Sequence, residues 1–158
     1  MTDTFILSNF RNRLKDKWPP LSRRPLWTYE KVDFLWNEIN LGGKHRGDNE
    51  DTIENTIKNG GKLFLLEEKE TRQIIGTSWL TNDKRRIYLH HFGVNPKYQG
   101  NGYSKLLLEQ SLKYAQKQGL QIKLEVHKDN VIAIDLYKKY GFKYLGDYIV
   151  FIIRDIEK

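Results

Sequence analysis

Tyr98-Gln99-Gly100-Asn101-Gly102-Tyr103-Ser104 runs directly into Lys105-Leu106-Leu107-Leu108, so two glycines and small or polar residues open an apolar helix. Glycine has no Cβ, and a ligand can come close to its backbone. The first N–H groups of a helix have no partner inside it, and with the helix dipole they attract phosphate. The stretch therefore reads as a cradle for a phosphorylated cofactor. Two common cradles do not fit. A P-loop needs Gly, four residues, then Gly-Lys-Ser/Thr, yet no Gly lies five residues before Gly100 or Gly102. The dinucleotide fingerprint needs a third Gly where Lys105 stands.

The spacing that fits is Gln/Arg-x-x-Gly-x-Gly/Ala, at Gln99, Gly102 and the small Ser104. It resembles the acetyl-CoA pyrophosphate loop of the GNAT superfamily of N-acetyltransferases. A second block lies at the expected distance: Glu125-Val126-His127, Asn130, Ala133, Leu136-Tyr137 and Gly141-Phe142. The resemblance covers about residues 73–146 and adds little for the first 60.

The bulk composition is compatible with this. The chain has 158 residues, 39% hydrophobic and 30% charged, as expected of a single globular domain over 1–158. No run of about 18 apolar residues suggests a membrane span, and no basic-then-apolar leader is visible at the N-terminus. Cysteine is absent, which excludes disulfides and a cysteine nucleophile and makes cytoplasmic residence the simplest expectation. The four histidines show no metal-ligand spacing, so no metal is expected. The net charge is +7, with basic residues concentrated from Arg11 to Arg24. That stretch reads as a solvated face, as help in recruiting the anionic CoA, or as a nucleic-acid surface.

Along the chain, Ile6, Leu7, Phe10, Leu14 and Trp18 suit a helix over 3–18, with a strand at Thr4–Leu7 as the competing reading. Trp18-Pro19-Pro20 ends regular structure. Thr28 caps a helix to about Asn40, bearing Val32, Leu35, Trp36 and Ile39 on one face, with Gly42-Gly43 as its stop. Asp48 or Asn49 opens a helix carrying Ile53 and Ile57, ended by Gly60-Gly61. Strands are expected at Lys62–Glu67, Gln73–Leu80 and Arg86–Val94. A helix from about Ser104 to Gln118 follows, then a strand on Leu120, Ile122, Leu124 and Val126. A helix over Asn130–Tyr140 and a hairpin of Phe142–Leu145 with Tyr148–Arg154 close the chain. The strand–helix–strand unit requires a right-handed crossover between parallel strands. The expected fold is α/β: a mixed, mostly antiparallel sheet with helices on both faces, as in GNAT-like acyltransferases.

The resemblance implies transfer of acetyl from acetyl-CoA to a primary amine by direct attack in a ternary complex. Strands Arg86–Val94 and Leu120–His127 splay at their C-terminal ends, and the pantetheine arm pairs with backbone of Phe92 and Val94. Gly93 suits a bulge whose freed N–H stabilises the developing oxyanion. Gln99, Gly100, Asn101, Gly102, Tyr103 and Ser104 wrap the pyrophosphate. Asn130 positions the cofactor arm or simply caps a helix. Tyr137 is the candidate acid at the departing sulfur, a phenol near pKa 10 beside a thiol near 8.5. His90 lies with Tyr88 on the polar side of its strand as a candidate base, while His91 faces the opposite way unless a bulge swaps the two. Glu125 is a second candidate base, a clamp on the ammonium, or one half of a salt bridge.

The acceptor is not specified: a small-molecule amine, a protein N-terminus and a lysine all fit. Trp27, Trp36 and Trp79 either line a pocket or fill core, and Glu50, Asp51 and Glu54 form a candidate acidic patch. The chain is expected as a monomer or homodimer, away from membranes. A catalytically silent CoA sensor is the main rival. A basic nucleic-acid binder using Arg11–Arg24, Trp18 and Trp27 is a weaker one, since no recognised nucleic-acid motif is present.

Overall fold

The computed structural model describes residues 5–9, 29–42 and 47–153. The basic stretch, Trp18-Pro19-Pro20, Trp27, the Thr28 cap, Gly43 and Arg154 lie outside them. The chain divides into two compact units, Met1–Glu125 and Val126–Lys158.

The first unit holds a five-stranded sheet in sequential order. Strand β1 (Phe5–Asn9) settles the first ambiguity in favour of strand, pairing antiparallel with β2 (Lys62–Glu68). β2 pairs antiparallel with β3 (Ile74–Asn82), and β3 with β4 (Arg86–Val94). β5 (Gln121–Leu124) runs parallel to β4, as the crossover requires. It is shorter than its alternating pattern, which continues to Val126.

Helices cover both faces. Helix α1 (Tyr29–Glu38) buries Val32, Leu35 and Trp36, spaced three and four residues apart as one helical stripe demands. Helix α2 (Glu50–Lys58) buries Ile53 and Ile57. Asn49 is its cap, the Oδ1 accepting the Thr52 N–H at 2.9 Å. These side chains form a core with Leu63, Leu65, Ile74 and Trp79. On the other face lies helix α3 (Tyr103–Gln118), whose Leu107, Leu108, Ser111 and Ala115 are buried. Consecutive residues of β3 report the two layers: Trp79 stacks on Trp36 at 5.6 Å, and the Ser78 hydroxyl meets that of Ser111 at 2.7 Å.

The second unit contains helix α4 (Val131–Lys139), with Tyr137 as its buried residue. The closing hairpin is not formed: among the described residues, 142–153 carry no strand. Apolar residues specify a strand where they bury a face. Here Tyr148, Ile149, Val150, Phe151, Ile152 and Ile153 are all exposed, and a lone two-stranded hairpin is marginal.

Candidate active site

The parallel pairing of β4 with β5 runs only from Arg86–Gln121 to Leu89–Leu124. β4 continues to Val94, still paired with β3 through Gly93 and Val94. The β4–β5 ladder therefore ends at Leu89, where β5 itself ends, and β4 runs on from His90 to Val94 beyond it. An extended ligand arm can add to a strand edge as a further strand would.

At the end of that edge the chain turns through Asn95, a short 3₁₀ turn at Pro96–Tyr98, and the glycine loop. Gln99 is committed internally: its Nε2 donates to the Val94 carbonyl at 2.9 Å. The Asn101 amide donates to the Tyr98 and Gln99 carbonyls at 3.2 Å. The Gln99 and Asn101 side chains thus shape the loop itself. Gly100 and Gly102 adopt φ of 82° and 83°, and a Cβ at either would meet nothing within 4 Å. Gly102 is the N-cap of α3, which has no side-chain cap. The result is an open cradle at a helix N-terminus, fit for phosphate.

The bulge in β4 lies two residues before Gly93. Trp79 faces His90 and Thr77 faces Gly93, so Ser78 alone spans His91 and Phe92. His91 takes the extra turn at φ 40°. At Gly93 a Cβ would lie 2.7 Å from Leu41 Cδ1 and 2.9 Å from Ile39 Cδ1, so the ends of those two side chains would have to shift to admit one. The bulge also overturns the opposite facing of the histidines. His91 packs on Trp36 and Trp79 at 4.3 and 5.1 Å, on the α1 side, where His90 also lies 5.9 Å from Trp79.

His90 is hydrogen-bonded to Thr81 Oγ1 at 2.9 Å and stacked on Tyr88 at 4.2 Å. Burial of its ring, then the neighbouring His91, pulls its pKa down to about 4, against Asp48 and Glu125. It is neutral throughout the neutral range. Between pH 6.5 and 4 the unfolded chain binds this proton and the folded chain does not, so folding stability falls as pH drops through that window. His90→Gln is expected to flatten this part of the acid slope, by up to about 1.4 kcal/mol per pH unit. Urea midpoints at pH 7 and 4.5 check it, and an unchanged slope would show that His90 is not buried as a neutral ring.

Glu125 accepts a hydrogen bond from Tyr88, whose phenol is pushed up by burial and then by this carboxylate. Its ion pair with Lys123 is 3.6 Å long, and both side chains are about half exposed. Lys123 lies 5.4 Å above the Tyr88 ring. Thr81, Asp83, Arg86, Tyr88, His90 and Lys123 line an open pocket of about 370 Å³.

In the second unit Asn130 caps α4, its Oδ1 accepting the Ala133 N–H at 3.2 Å. Tyr137 is 7% exposed, edge-on to Phe142 at 5.6 Å, and burial raises its pKa to about 12. This is a weaker acid than an ordinary phenol, and it keeps its proton at neutral pH. The sequence reading missed Asp48 as a partner of His91, at 3.0 Å, because its place before a helix marks a cap. It also missed the Tyr88–Glu125 contact, which the parallel register alone creates.

Among the described residues no cluster of ligating side chains is placed to hold a metal, and no helix is long and apolar enough to cross a membrane. The chain matches the acetyltransferase (GNAT) family model over residues 27–142. It is 41% identical over 58 residues to the N-alpha-acetyltransferase RimI of Mycobacterium tuberculosis, covering 37% of this chain and 35% of that protein. It is 34% identical over 90 residues to the ribosomal protein bS18 alanine N-acetyltransferase of Haemophilus influenzae, covering 55% and 61%. The chain thus spans less than two thirds of the length of either relative. The fold is similar to that of an acetyltransferase from Streptococcus agalactiae, with a TM-score of 0.73 at 18% identity over 96% of this chain and 92% of the other. With the family model matched across both compact units, from α1 through α4, this chain belongs to the acetyltransferase (GNAT) family.

Proposed function

We propose that this chain is an N-acetyltransferase that moves the acetyl group of acetyl-CoA to a primary amine by direct attack in a ternary complex. The observation that carries the reading is the stretch of β4 that runs on beyond the last β4–β5 pair, Leu89 with Leu124, and leads into an open glycine cradle. Backbone of Phe92 and Val94 pairs with the pantetheine arm, and the Gly100–Ser104 backbone holds the pyrophosphate. Bound there, acetyl-CoA supplies an activated acyl carbon.

The chain's own groups then act on protons and charge. A backbone N–H at the bulge, that of Phe92 or Gly93, stabilises negative charge growing on the acyl oxygen. The new N–C bond forms as the C–S bond breaks, and the amine loses one proton. His90 and Glu125 are the groups assigned to take that proton, directly or through water. Tyr137 donates a hydrogen bond to the departing sulfur. With a pKa near 12 the phenol shares its proton with the thiolate rather than surrendering it.

The acceptor class is a primary amine: a small molecule, a polypeptide N-terminus or a lysine. The two relatives, one named as an N-alpha-acetyltransferase and the other as a ribosomal protein bS18 alanine N-acetyltransferase, support an amine acceptor. Cytoplasmic residence, suggested by the absence of cysteine, belongs to the same reading, as does a monomer or homodimer acting as one domain. Direct transfer is tested by incubating the protein with radiolabelled acetyl-CoA alone and denaturing it. No retained label is expected, and label on one active-site residue would establish a covalent route instead.

A further inference from the structure

His91 has an uncommon backbone for a residue with a side chain, φ 40°. Such a conformation persists where its surroundings over-determine it, and it directs attention to function. Three elements converge on this residue. From β3, Thr77 Oγ1 donates to the His91 carbonyl at 2.8 Å, and it accepts the Trp36 indole N–H of α1 at 2.9 Å. The imidazole lies against Trp36 and Trp79. Asp48, just before α2, places Oδ2 3.0 Å from Nε2. Asp48 is itself held, since the Tyr29 hydroxyl at the start of α1 donates to its carbonyl. The Asp48 side chain is only 11% exposed, and a buried carboxylate is retained where it has a partner such as His91.

The next two residues are Phe92 and Gly93, the backbone assigned above to the acyl group. We infer that Asp48 and His91 form a positioning pair, which fixes the β4 bulge and thereby aims the Phe92–Gly93 amides at the acyl oxygen. The inference rests on the proposed acetyl transfer for its consequence, though not for its geometry. Neither side chain touches the reacting atoms in this role. The pair acts on turnover and not on capture of the nucleotide end, because the glycine cradle is built from its own contacts. An oxyanion donor displaced by about 1 Å costs on the order of 100-fold in rate.

The test combines kinetics with amide resonances of the full chain. Asp48→Ala is expected to lower kcat by about 10- to 100-fold while acetyl-CoA affinity stays within about two-fold. Asp48→Asn, whose amide oxygen still accepts from Nε2–H, restores kcat to within about three-fold. Thr77→Val, which cuts the other restraint, lowers kcat in the same way and decides the matter should Asp48→Ala fail to fold. The Phe92 and Gly93 amide resonances shift in Asp48→Ala and return in Asp48→Asn, while those of Gly100 and Gly102 stay in place. Unchanged kcat in both Asp48→Ala and Thr77→Val, or no rescue by Asn, would overturn the inference. So would a parallel loss of acetyl-CoA affinity, or unmoved Phe92 and Gly93 resonances. A wild-type protein without amine-dependent turnover would fail the functional reading instead, and the resonances alone would then decide whether the pair sets the bulge.

Discussion

Gly102→Val is expected to abolish acetyl-CoA binding, with affinity falling by at least ~100-fold, about 2.7 kcal/mol. Two effects add. Gly102 holds φ 83°, where an L side chain costs ~1–2 kcal/mol and a β-branched one more. Beyond that, a Cβ there projects into space that, among the described residues, none but its chain neighbours occupies within 4 Å, and in the proposed site that is the room a phosphate needs to reach the α3 N-terminus. Because the side chain meets no neighbour, the core stays intact. Thermal unfolding should shift only by the strain at one residue. Calorimetric titration of acetyl-CoA into wild type and variant reads the difference directly. Wild-type affinity in the variant would remove the glycine cradle from the binding site. Gly102→Ala serves as the milder member of the series, with a smaller loss in the same direction.

Tyr137→Phe is expected to lower kcat by about 100-fold and leave acetyl-CoA affinity within about two-fold. The phenol sits in the second unit, 7% exposed and braced by the Phe142 edge, so removing one oxygen leaves its packing intact. What is lost is a donor to the sulfur as it gains charge. The raised pKa adds a second expectation. A phenol at about 12 stays protonated through pH 10, so the wild-type rate shows no fall from Tyr137 ionisation below that pH. An alkaline limb near pH 8 to 9 that vanishes in Tyr137→Phe would contradict the assignment. So would a variant with full turnover.

How far the sequence carried depended on whether a signal was local. The glycine loop was legible because Gly100 and Gly102 need a positive φ there, and that requirement stays within a few residues. The faces of α1 and α2 were legible for the same reason, since a stripe of apolar residues at helical spacing records one buried side. The β4 bulge was different. Strict alternation sends His90 and His91 to opposite faces, and one extra residue opposite Ser78 defeats it. The glycine that suggested a bulge lies directly beside it, and its missing Cβ also leaves room for the Leu41 and Ile39 side chains, a contact no local pattern records. Asp48 and His91 are 43 positions apart, and Tyr88 meets Glu125 through the parallel register. Such pairs exist only once the sheet is assembled. At the C-terminal end the error ran the other way. Six apolar residues in a row carry strong β propensity, yet exposed they have no face to bury.

The most direct test of the central claim is acetyl-CoA titration by calorimetry, followed by free-thiol release across a panel of primary amines that includes short peptides with free N-termini. Saturable acetyl-CoA binding at one site per chain, with thiol release only when an amine is present, is the predicted result. A protein that fails to bind acetyl-CoA would contradict it.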